Sequence, residues 1–87
     1  MANYNILIKE SAAKELGKIP KKNLNHIISK IQSLAKNPRP HGAKRLSAQE
    51  RYRIRQGDYR IVYSIQDEDL TGQIYKIAHK QDVYRSE

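Results

Sequence analysis

Arg51-Tyr52-Arg53-Ile54-Arg55-Gln56-Gly57-Asp58-Tyr59-Arg60-Ile61-Val62-Tyr63 is the stretch that decides the fold of this 87-residue chain. Basic or polar residues alternate with apolar ones on both sides of Gly57-Asp58, the period of a strand with one face turned inward. A Gly-Asp pair between two such runs reads as the two-residue turn of a hairpin. Folding the chain there sets a register. Gln56 faces Tyr59, Arg55 faces Arg60, Ile54 faces Ile61, Arg53 faces Val62 and Tyr52 faces Tyr63. One face then carries Tyr52, Ile54, Ile61 and Tyr63, and the other carries Arg53, Arg55 and Arg60. Like charges directly opposite on a sheet destabilise it. The three guanidiniums are therefore either screened by solvent or bridged by an anion, and arginine grips phosphate through a planar fork of donors. A solvated basic face and a phosphate site on a rigid hairpin both remain open on these residues alone.

Outward from the hairpin, the second strand continues to about residue 66 and is partly apolar on both faces through Ile61, Val62, Tyr63 and Ile65, which places it centrally in a sheet. Asp67-Glu68-Asp69 begins a turn that closes near Thr71-Gly72, and a last strand follows over about 73–79. Upstream, Tyr4, Ile6 and Ile8 alternate in a first strand over 3–9. Ser11 reads as the N-cap of a short helix that ends near Gly17 and Pro20. Leu24, Ile27, Ile28, Ile31, Leu34 and Ala35 form one apolar stripe on a second helix of roughly 15 residues, ending at Asn37-Pro38. Residues 37–50 read as a basic loop from which Leu46 tucks into the core. The expected fold is α+β, ordered β-α-α-β-β-β. An antiparallel meander is joined by the first strand, at an edge or beside the last strand. A helical hairpin packs on the tyrosine and isoleucine face, and the arginine face stays open.

Composition bounds the function. A chain of this length forms one domain, 1–87, with a modest core and no room for a deep cavity. Lysine and arginine exceed aspartate and glutamate by 17 to 9, for a net charge of +8. That balance suits a polyanion such as nucleic acid, an anionic membrane or an acidic protein. No apolar run approaches the roughly 20 residues of a membrane span, and Met1–Asn5 lacks the basic and apolar regions of a signal peptide. There is no cysteine, which excludes a disulfide scaffold and cysteine zinc sites. A cytoplasmic location is the expectation. His26, His41 and His79 show no metal-ligand spacing.

The hairpin residues Tyr52-Arg53-Ile54-Arg55 and Gly57–Tyr63 resemble the RelE family of the RelE/ParE toxin superfamily. Two flanking stretches share the resemblance. Ser11–Leu16, up to Ile19-Pro20, looks like the family's first helix, and His79-Lys80-Gln81-Asp82-Val83-Tyr84 looks like its C-terminal signature H-R-x-x-V-Y. The resemblance implies a RelE-like toxin of a type II toxin–antitoxin system. Such toxins are ribosome-dependent endoribonucleases that cut mRNA in the ribosomal A site, with no metal or other cofactor, by attack of the 2′-hydroxyl on the adjacent phosphate. It implies that Arg53, Arg55 and Arg60 fall on the family's basic positions, Lys80 on a catalytic arginine and Tyr84 on a base-stacking tyrosine. It also implies a cognate antitoxin whose acidic C-terminal segment wraps the basic surface.

The residue types suit that chemistry. Preorganised cations stabilise the charge that develops on a phosphorane, and an aromatic ring holds a splayed base by stacking. Arginine effectively does not deprotonate, so Arg53 and Arg55, where some relatives carry lysine, leave the general base open between His79 and Tyr84. Lys80 keeps the charge of arginine and loses its fork. Beside these stand plainer readings. His79 and Tyr84 are equally read as packing residues, Asp67–Asp69 as a solvated turn, and the cations of 14–22 and 36–45 as solvated faces that assist docking. The alternative function is a ParE-like toxin that inhibits DNA gyrase by contact, without chemistry.

Overall fold

The computed structural model describes residues 3–46 and 51–79. Along them run β1 (Asn5–Ile8), α1 (Glu10–Leu16), α2 (Lys21–Lys36), β2 (Lys44–Leu46), β3 (Arg51–Gln56), β4 (Tyr59–Gln66) and β5 (Thr71–His79). The strands form one sheet in the order β1-β5-β4-β3-β2. The fold is α+β, and β4 is its central strand as its two-sided apolar character requires. Among the described residues no helix is long and apolar enough to cross a membrane.

The hairpin folds in the expected register, from Gln56 opposite Tyr59 to Tyr52 opposite Tyr63. Gly57 takes φ 61°, the left-handed conformation that the first central position of a type II′ turn demands and that glycine adopts without steric cost. β1 lies at the edge beside β5 and runs parallel to it, so the first strand takes both of its expected places at once.

The core gathers Ile54, Ile61, Tyr63, Ile65, Ile74 and Ile77 of the sheet under Ala12 of α1 and Ile27, Ile31 and Leu34 of α2. These three α2 residues are buried, whereas Ile28, one position round the helix from Ile27, is 38% exposed. The stripe that touches the sheet is thus narrower than the apolar pattern. Ile74 and Ile77 are both buried although they are three apart, a spacing that a regular strand cannot accommodate on one face. A slip in the β4–β5 ladder solves it. Val62 pairs with Lys76 and Tyr63 with Ile74, leaving Tyr75 as an inserted bulge residue. Tyr75 and Lys76 are thereby both turned off the core face.

Three local expectations are corrected. Ser11 is not the N-cap of α1. Lys9 holds that position in an extended conformation without a side-chain cap. Its N–H donates to Ile74 O at 3.0 Å and its carbonyl accepts from Ala13 N at 2.9 Å, so strand pairing rather than a hydroxyl starts the helix. Residues 37–50 are not all loop, because β2 pairs with β3. Three residues, two of them basic, are too few to show a strand period. Leu46 stands opposite Arg51 and is only half-buried, on the open face rather than in the core, because its register follows Arg51 and Arg53.

Candidate functional site

Strand register alone assembles the basic face. Arg55 and Arg60 are direct partners across β3 and β4. Arg53 lies two residues along β3 and is flanked by Val62 on one side and Lys44 of β2 on the other. Together with Gly42, these four cations line an open depression of about 380 Å³. It is open to solvent and lined mainly by cations, which suits an anion. Arg60 is half-buried, and its Nη1 donates to Tyr59 O at 3.4 Å, which steadies one guanidinium over the sheet. Arg55 is exposed. Between them the floor is small and tightly covered: Val62 is 8% and Ala78 9% exposed.

Not every anticipated residue joins this cluster. His79 is the ladder partner of Tyr59, one step past the Arg60–Ala78 pair, and so lies on the helix side of the sheet. Its ring meets that of Tyr59 edge-on at 5.6 Å between centroids. The structure therefore brings Arg53, Arg55 and Arg60 together and sets His79 on the opposite face. Lys80 and Tyr84 lie outside the described residues.

A second polar cluster escaped the sequence. Arg39, expected on a solvated face, donates from Nη1 and Nη2 to the two carboxylate oxygens of Asp67 at 3.1 and 2.9 Å. Its Nε donates to Tyr52 Oη at 2.8 Å. The same carboxylate accepts from the Tyr4 hydroxyl at 2.6 Å. Tyr52 stacks on Tyr63 at 5.7 Å, and the Tyr63 hydroxyl donates to Pro38 O at 2.7 Å. The Arg39 donors, and then Tyr4, hold the Asp67 carboxyl below its ordinary range. Burial pushes the Tyr63 phenol up to about 12. This network ties the β4–β5 turn to the segment after α2. With its charges already matched, it reads as a fastening and not as a reaction centre. The acid of one turn and the base of a distant loop carry no local signal for each other.

The comparisons with known proteins agree with this architecture. A family model described as the ParE toxin of type II toxin–antitoxin systems, parDE, matches residues 6–84. The chain is 31% identical to a protein of Methanocaldococcus jannaschii assigned as toxin RelE1, over 95% of this chain and 97% of that protein. It is 29% identical to toxin RelG of Mycobacterium tuberculosis, over 94% of this chain and 97% of the relative. The toxin–antitoxin complex RelBE2 of Mycobacterium tuberculosis superposes with a TM-score of 0.81 at 27% identity, covering 91% of this chain and 93% of that one.

Proposed function

Since the chain belongs to the ParE toxin family of type II toxin–antitoxin systems, within the RelE/ParE superfamily, we propose that its open arginine face is the active surface of a ribosome-dependent mRNA endoribonuclease. The observation that carries this reading is the opposed pair Arg55 and Arg60, with Arg53 and Lys44 around one depression. Like charges are gathered there at a cost to the sheet, and a phosphate offsets that cost.

In the proposed reaction the ribose 2′-oxygen attacks the adjacent phosphorus, and the O2′–P bond forms as the P–O5′ bond breaks. The products are a 2′,3′-cyclic phosphate and a 5′-hydroxyl that takes up a proton. Arg55 and Arg60 neutralise the non-bridging oxygens as charge grows on them, while Arg53 and Lys44 hold the flanking backbone. The need for a 2′-hydroxyl makes the substrate RNA. Arginine does not serve as the base, and His79, opposite Tyr59, lies on the other face of the sheet. Proton removal is therefore assigned to the tail, with Tyr84 as the candidate, and Lys80 is assigned to the phosphate or leaving group. His79 takes a positioning role: its packing on Tyr59 fixes the end of β5, next in sequence to Lys80. A cognate antitoxin with an acidic segment would silence the toxin by covering the same cations, as the relatives' complexes with RelB suggest.

Induction of the chain without an antitoxin is expected to arrest translation, with primer extension revealing codon-phased cuts on translated mRNA. Arg60→Ala is expected to relieve the arrest, and unchanged arrest would refute the site. The ParE description of the matching family model supports a second reading, inhibition of DNA gyrase by contact. Loss of supercoiling while translation continues would decide for it.

A further inference from the structure

Resting on the reading of the open face as an RNA surface, we propose a second phosphate subsite on that face, formed by Lys9 and Arg51 around the ring of Tyr75. It holds the backbone of single-stranded RNA at a distance from the scissile position. The Arg51 guanidinium carbon lies 4.1 Å from the centroid of the Tyr75 ring, and Lys9 Nζ lies 5.5 Å from the same centroid. Three separated parts of the chain meet here, and strand pairing fixes each of them. Arg51 is opposite Ser64 on β3. Tyr75 is the bulge residue that the ladder slip turns to this face. Lys9 follows β1 directly, with its N–H bonded to Ile74 O at 3.0 Å.

The electrostatics are unfinished. An aromatic ring attracts a cation through its quadrupole but does not neutralise it. Two cations drawn to one ring repel each other, and among the described residues no carboxylate pairs with either. An anion between them completes the arrangement. It cannot be the phosphate seated at Arg55, because Arg51 lies four residues away on the same strand, about 13 Å at the usual rise. A different phosphate of an extended strand spans that separation. The plainer role, a solvated contact that only braces β1 and β3 against β5, predicts no effect on RNA.

The test is equilibrium binding of the full-length chain to a fluorescein-labelled single-stranded RNA of about twelve nucleotides across a series of KCl concentrations. Releasing one single-strand phosphate changes the slope of log K against log salt by about 0.7. Lys9→Gln/Arg51→Gln is expected to lower the slope by that amount. Lys21→Gln/Lys22→Gln, which removes the same charge from an exposed turn of α2 that serves at most general docking, is expected to lower it by clearly less. Lys9→Gln alone, at an exposed position, gives the same direction should the double variant fold poorly. An unchanged slope in the Lys9 and Arg51 variants, or an equal fall in both doubles, overturns the subsite. Codon-phased cleavage by the wild-type chain together with an unchanged slope removes the subsite alone. A lowered slope in a protein that cuts no message supports the subsite and removes the nuclease reading.

Discussion

The two faces of this sheet treat positive charge in opposite ways. On the helix side the charge of Arg39 is matched: two of its donors meet Asp67, a third meets Tyr52, and its guanidinium lies 5.2 Å from the Tyr52 ring centroid. On the open side Lys44, Arg51, Arg53, Arg55, Arg60 and Lys76 occupy the ladder and Lys9 flanks it, and among the described residues no ion pair joins Lys9, Lys44, Arg51, Arg55 or Arg60 to a carboxylate. An arginine paired with a carboxylate and a phenol fastens two segments of chain. Like charges gathered on one face cost folding energy through repulsion, and a bound anion offsets that cost. The residue type is the same in both places, and its partners decide whether it serves the fold or the function.

The sharpest way to break this contrast is to substitute one residue of a kind on each face. Ile61 is fully buried, and Ile61→Ala is expected to lower stability by about 2–5 kcal/mol through lost burial and a residual cavity. Arg55, exposed opposite Arg60, is expected to behave inversely. Arg55→Ala should leave stability within about 0.5 kcal/mol, or raise it slightly as repulsion is relieved, while abolishing growth arrest. Chemical denaturation of both variants beside a toxicity assay makes the comparison. A large loss of stability in Arg55→Ala would mean that the open face is structural after all.

A smaller pair of substitutions probes crowding. Gly72 lies where β1, β5 and β4 meet, and a Cβ there would come within 2.8 Å of Ile6 Cδ1, 3.1 Å of Ile65 Cδ1 and 3.3 Å of Ser64 O. The two isoleucine tips can shift and the backbone oxygen cannot, so Gly72→Ala is expected to cost about 1–3 kcal/mol by overpacking. Gly42 lines the basic depression, and a Cβ there meets nothing within 4 Å. Gly42→Ala is expected to be neutral or stabilising by up to about 1 kcal/mol, through reduced freedom of the unfolded chain. Thermal melts of the two variants should therefore move apart, and equal shifts would show that the open face is as tightly packed as the covered one.

What the sequence disclosed follows the range over which its signals act. The hairpin was legible because alternation and a Gly-Asp turn operate between neighbours, and with them came the register that gathers Arg53, Arg55 and Arg60. β2 was not, because three residues paired to a distant strand show no period of their own. The bulge at Tyr75 had a visible trace, two core isoleucines three apart at Ile74 and Ile77, and that spacing also fixes which face His79 joins. Without the slip His79 reads as a neighbour of the arginines, and with it His79 packs against Tyr59. The Arg39–Asp67 pair spans 28 residues, and nothing local distinguishes such a pair from two solvated charges.

The smallest expected effect tests the covered side of the contrast through pH. The carboxyl of Asp67 is held below its ordinary value by Arg39 and Tyr4. A group with a depressed folded pKa contributes stability above its unfolded value, about 3.9, and loses that contribution as pH falls through its folded value. Asp67→Asn is therefore expected to unfold at a lower denaturant midpoint than the wild type at pH 7, and the two midpoints should converge as pH drops below about 4. The side chains of Arg39 and Asp67 are 41% and 59% exposed, so solvent screens the pair and added salt should narrow the gap at pH 7. The same salt acts oppositely on the other face, where screening relieves repulsion between cations and favours the folded sheet. A gap at pH 7 that persists unchanged at pH 3 would show that shape and not charge holds the turn, and the distinction between a neutralised face and an unneutralised one would have to be drawn without Asp67.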